Sequence, residues 1–137
     1  MTNPRTTAES TAHAAEARVP GLPDTMPAVV QAGYGGTEVL RVQEVERPEA
    51  GEDEVLVRVL AAGVDRGIWH LMTGLPYVAR FVFGLRRPKQ PVPGLELAGV
   101  VEAVGAGVTR FTEGDLVFGV GRGTFAAWAV ASPEKLA

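Results

Sequence analysis

Cysteine is absent from the 137-residue chain, which excludes disulfides and thiolate metal sites. The absence fits a reducing compartment, and the chain is read as cytoplasmic. Long hydrophobic runs are missing as well. Apolar runs such as "FVFGL" (81–85) fall far short of the roughly 20 residues a membrane helix needs. The N-terminus lacks the apolar stretch of a signal peptide. Neither charge sign dominates: 13 basic and 16 acidic residues give a net charge of -3, with no block of either sign. Nucleic acid and membrane surfaces are therefore not expected partners.

Residues 1–25 contain no aromatic residue, and Val19 and Leu22 are their only large aliphatics. Such a segment buries too little apolar surface to offset its ordering entropy, so it is expected to be a disordered tail with His13 in solvent. The domain is expected over 26–137, with enough chain for a core of its own.

What is there begins with short β-rich runs. "AVVQA" (28–32) and "VLRVQEV" (39–45) flank the glycine turn "GYGG". "EVLVRVLAAG" (54–63) is the clearest strand, with Val55, Val57 and Val59 on one face and Leu56 and Leu60 on the other. Apolar residues on both faces predict burial on both sides. Prolines 76, 88, 91 and 93 confine any helix of 75–94 to its middle, where Tyr77, Phe81 and Leu85 recur at helical spacing. Then come "ELAGVVEAVGAGVTRF" (96–111), a strand with Gly99 inside it, "LVFGV" (116–120) and "TFAAWAVA" (124–131). A glycine within a strand marks a bulge or a close backbone approach. "SPEK" (132–135) opens a turn or helix. Five or six short strands with frequent turns and no strand–helix–strand series predict a mainly β fold, a small barrel or sandwich with short helices.

Chemistry concentrates in "GVDRGIWHLMTG" (63–74), which carries Asp65, Trp69 and His70. Asp65 has two readings, facing a cleft or capping a helix over Asp65–Thr73. His70 is divided between a structural role and lining a cleft, and Trp69 is read as packing. "GVGRGT" (119–124) is not a dinucleotide fingerprint, because its third glycine comes early and a strand follows. Arg80, Arg86, Arg87 and Lys89 are read as a solvated face.

Three phrases carry a resemblance: "YGGTEVLRVQEVERPEAGEDEVLVRVLAAGVDRGIWHLMTG", "PGLELAGVVEAVGAGVTRFTEGDLVFG" and "GTFAAWAV". In this order they resemble the N-terminal, GroES-like catalytic domain of the medium-chain dehydrogenase/reductase superfamily. The resemblance implies a partly open GroES-like β-barrel. It also implies an oxidoreductase that uses NAD(P)H on a small-molecule substrate. Zinc-dependent members carry a cysteine ligand where this chain has Asp65 and "G-H-E" where it has Gly94–Leu95–Glu96. Leu95 has no donor atom, so the resemblance is to the zinc-independent, quinone oxidoreductase-like branch, with no metal expected. That branch usually carries asparagine at the Asp65 position. His70 falls where many zinc enzymes place a proton-relay histidine, but the hydroxyl residue of that relay is replaced by Gly67.

The substrate-cleft candidates implied are Asp65, Trp69, His70 and Tyr77, with Asp65 and His70 also candidates for the cofactor. No residue is assigned a catalytic step. The expected whole enzyme reduces quinones, enones or related carbonyl compounds. A Rossmann domain is not encoded in these residues, so a homo-oligomer or a separately encoded nucleotide-binding partner is expected. The alternative is a truncated, non-catalytic binding module of the same fold.

Overall fold

The computed structural model describes residues 19–137. β1 (Thr25–Gln31) and β2 (Leu40–Glu46) form an antiparallel ribbon registered from Thr25↔Glu46 to Gln31↔Leu40. Their connection tightens into one 3-10 turn, Thr37–Val39. There the Glu38 carboxylate accepts the Gly36 N–H at 2.8 Å. Bonds from its own N–H and that of Gly36 hold the Glu38 carboxyl below the usual range.

The second sheet contains β3 (Val55–Ala62), β4 (Glu96–Val104), β5 (Leu116–Val120) and β6 (Trp128–Ala131). Its order is β5-β4-β3-β6, with every pairing antiparallel. Between β3 and β4 lie α1 (Arg66–Thr73), a 3-10 turn (Tyr77–Ala79) and the short α2 (Arg80–Phe83). A last 3-10 turn, Pro133–Lys135, follows β6. No helix among the described residues is long and apolar enough to cross a membrane.

The core is built by alternation. Leu97 and Val101 of β4 meet Val55 and Val57 of β3, Val117 of β5 and Ala129 of β6, and Leu136 closes one end. Each buried Val or Leu contributes about 1.5–3 kcal/mol. Segment 124–127, expected as strand, is instead a bridge between the sheets. Val29 N–H donates to the Phe125 carbonyl at 2.9 Å and Val59 N–H to the Ala127 carbonyl at 2.9 Å. The result is a partly open barrel of two sheets joined by irregular chain.

Two expectations are corrected in detail. β3 is buried on both faces only at Val55, Leu56 and Val57, while Leu60 is 60% exposed. β6 pairs with β3 only from Val55 to Arg58, and the second half of β3 has no such cover. Of the expected tail, residues 19–25 are held in place. Arg47, itself buried, donates its backbone N–H to the Asp24 carbonyl at 2.8 Å and Nε–H to the Pro23 carbonyl at 2.9 Å. Residues 1–18, including His13, lie outside the described residues.

Gly99 behaves as its place in a strand implies. A Cβ there would run into the Arg58 carbonyl and come within 2.7 Å of Val57 Cγ1. It sits where the β3–β4 register shifts, between Val59 and Ala61.

Candidate active site

The motif 63–74 folds into α1 for local reasons. Asp65 is extended (φ -120°) and its Oδ1 accepts the Ile68 N–H at 2.9 Å, an N-cap. Gly74, at φ 65°, ends the helix in the left-handed region and returns its N–H to the His70 carbonyl at 2.8 Å. A Cβ on Gly67 would lie 3.0 Å from Asp65 Oδ1, so the glycine leaves room for the cap.

Helical spacing sorts the side chains. Ile68 is buried and Leu71 and Met72 half-buried, while Arg66, Trp69 and His70 are exposed. Trp69 is 50% exposed, so the packing reading does not hold for it. Its ring instead stands edge-on to His70, with centroids 5.2 Å apart at 77°. Val64, Asp65, Arg66, Trp69 and His70 together line an open concavity of about 660 Å³. Three of the four expected cleft residues are thus on one surface.

His70 is oriented. Its Nδ1 lies 2.9 Å from the Leu75 carbonyl oxygen. A carbonyl only accepts, so Nδ1 carries the proton and Nε2 is the acceptor of the neutral ring. The fourth candidate, Tyr77, lies off this surface. The Arg80 guanidinium sits between two rings, 4.5 Å from the Tyr34 centroid and 4.7 Å from that of Tyr77. Arg80 Nε–H also donates to the Gly74 carbonyl at 2.9 Å, so this arginine secures the end of α1.

Asp65 and Leu95, the positions that the resemblance matches to zinc ligands, follow the end of β3 and precede the start of β4. Gly63 N–H donates to the Glu96 carbonyl at 3.2 Å, bringing the chain before Asp65 beside Leu95–Glu96. Leu95 is 38% exposed and has no donor atom. Among the described residues no three His, Asp or Glu side chains gather where they could hold a metal ion. "GVGRGT" forms the end of β5 and a turn, with Gly121 N–H donating to the Leu95 carbonyl at 2.7 Å, and no helix follows it.

The model of the alcohol dehydrogenase GroES-like domain family matches residues 51–137. The chain belongs to that family. Over 115 residues it is 36% identical to a quinone oxidoreductase of Lama guanicoe, covering 81% of this chain and 32% of the relative. A chloroplastic NADPH-dependent alkenal/one oxidoreductase of Arabidopsis thaliana is 35% identical over 102 residues, which is 71% of this chain and 24% of that protein. Among solved structures, a mycobacterial protein complexed with NADPH superposes with a TM-score of 0.69 at 30% identity, covering 82% of this chain and 33% of its own. The human synaptic vesicle membrane protein VAT-1 homolog-like protein gives 0.73 at 30% identity, with coverages of 84% and 35%. The chain spans between about a quarter and about a third of the length of these relatives.

Within the GroES-like domain, one residue that sequence reasoning missed organises the site. Gln31 is buried, and its Nε2 donates to the Gly33 and Met72 carbonyls at 2.9 Å each and to the Leu71 carbonyl at 3.3 Å. It ties β1 to carbonyls in the last turn of α1. Its signal was a lone polar side chain ending the apolar run "AVVQ". Behind α1, Leu71 and Gln31 also line a second, apolar cavity of about 290 Å³.

Proposed function

We propose that residues 26–137 form the substrate-side domain of a zinc-independent oxidoreductase that reduces quinones, enones or related carbonyl compounds with NAD(P)H. The observation that carries this reading is the α1 surface. There an oriented imidazole, a capping carboxylate and a half-exposed indole face one concavity, and Leu95 stands where a metal ligand would be. The names of the relatives, quinone and alkenal/one oxidoreductases, support the substrate class.

The residues present fit one end of the cofactor. His70 Nε2 offers an acceptor to a ribose hydroxyl, and Val64 and Trp69 offer apolar contact to a flat ring. Nothing among the described residues fits the pyrophosphate, since every strand pairing is antiparallel and no strand–glycine turn–helix unit occurs. The phosphates would be held by a unit outside these residues, on the same polypeptide or on a partner chain. When bound, NAD(P)H supplies the hydride.

This domain's own part is to bind, orient and exchange protons. The Leu75 carbonyl keeps the Nδ1 proton, so His70 takes up and releases protons only at Nε2, the edge open to a ligand. Asp65 spends Oδ1 on the helix cap, which holds Trp69 and His70 at a fixed pitch. The Arg66 side chain has no partner among the described residues and adds positive charge beside the cap.

Titrating the isotope-labelled chain with a water-soluble naphthoquinone, followed by backbone amide NMR, tests the proposal. Shifts centred on 64–70, weakened in His70→Phe, are the expected result. Saturable binding elsewhere with 64–70 unmoved, or no binding at all, would favour the non-catalytic module.

A further inference from the structure

Of the apolar cavity behind α1, the reading above uses only Leu95. The cavity lies between α1, the end of β1 and the 80–95 segment, and its volume of about 290 Å³ is at the small end of ligand sites, roughly 300–1,000 Å³. Leu71, Val82, Phe83, Val92 and Leu95 give it an apolar wall. Gln90 lines it too, and two of its other polar lining groups are already spent. The Gln31 amide serves three carbonyls, and Arg122 Nη2 pairs with Glu54 Oε1 at 2.5 Å.

Lys89 is different. Its backbone is pinned, since its N–H donates to the Phe83 carbonyl at 2.8 Å across a turn that Gly84 makes possible at φ 126°. Lys89 lines the cavity, and its ammonium has no partner among the described residues. The segment that supplies most of the lining is one-sided in charge. From Arg66 to Leu95 the sequence holds Arg66, Arg80, Arg86, Arg87 and Lys89, and none of the chain's 16 acidic residues. In a chain of net charge -3, this lobe favours an anion over a cation or a neutral group.

We propose that the cavity binds an amphiphile with a carboxylate end: the apolar body between Leu71, Val82 and Val92, the carboxylate on Lys89. The inference does not rest on the redox reading: Leu95 is the one residue named for both, and the test needs no turnover.

The test is calorimetric titration of the chain with dodecanoate below its micellar concentration, against dodecanol and dodecyltrimethylammonium. One-to-one binding of dodecanoate is expected, tighter than either control. Lys89→Gln should weaken dodecanoate about fivefold, the reach of one exposed charge pair, and Lys89→Arg should restore it. Lys89 is exposed, so neither variant threatens the fold. Val82→Trp fills the cavity from an exposed position and should abolish binding, whereas Phe81→Ser, outside the cavity, should not. Equal binding of dodecanol and dodecanoate, indifference to Lys89→Gln, or loss in Phe81→Ser with retention in Val82→Trp would overturn the proposal. The last pattern would show adsorption to the exposed apolar surface.

Discussion

At the scale of single residues, Asp65 caps α1 through Oδ1 and also lines the open concavity, where a role in the cleft is the proposed one. The two roles separate by substitution. Asp65→Ala removes the cap and should destabilise the chain by about 1 kcal/mol, read from urea unfolding. Asp65→Asn keeps a side-chain oxygen for the Ile68 N–H and should cost only a few tenths, at most about 0.5 kcal/mol. Equal losses in the two would show that the charge, not the cap, is what the fold needs. Gly99 makes a sharper case, because a methyl group there meets the Arg58 carbonyl, a backbone atom that cannot rotate away. Gly99→Ala should therefore cost about 2 kcal/mol or more. A variant that melts with the parent would mean that β3 and β4 slide apart at the bulge without penalty.

At the scale of elements, the strands were legible because alternation and turn residues bracket them. "VLVRVLAA" is β3 and "ELAGVVEAV" is β4, with Gly99 marking the irregular register. What the sequence hid was long-range. No local pattern says that β6 stops covering β3 at Arg58, or that 124–127 would bond to both sheets rather than continue as strand. The site was half legible. "GVDRG" announces a capped helix, but only the folded chain shows Trp69 turned outward, Tyr77 drawn onto Arg80, and Gln31 holding α1 from across the sheet. The β1–β2 connection carries a pH dependence. The Glu38 carboxyl is held low by N–H donors, so its contribution is present above the ordinary carboxylate range and lost as pH falls through the lowered value. A backbone NMR titration should place the Glu38 midpoint below that of an unfolded peptide, and Glu38→Gln should erase the transition at Gly36. An ordinary midpoint would show that the turn does not hold the carboxylate.

At the scale of the molecule, the barrel brings the chain before Asp65 beside Leu95–Glu96, the positions that the resemblance matches to metal ligands. Leu95 supplies no ligand there, so protein prepared without a histidine tag should hold far less than one zinc per chain, and a chelator should leave its unfolding midpoint unchanged. Zinc near one equivalent by elemental analysis, resisting mild chelation, would contradict that. The central claim, that this domain is the substrate side of a metal-free nicotinamide oxidoreductase, is tested most directly by supplying the other side. Residues 26–137 would replace the matching segment of the Lama guanicoe quinone oxidoreductase, with which the chain shares 36% identity over 115 residues. The chimaera is first shown to be folded and to bind NADPH. The account predicts NADPH-dependent reduction of a quinone or an enone that persists in EDTA, and a kcat/KM about tenfold lower in His70→Phe, the worth of one hydrogen bond. A folded, NADPH-binding chimaera that reduces neither substrate, or that does so only with added zinc, would contradict it.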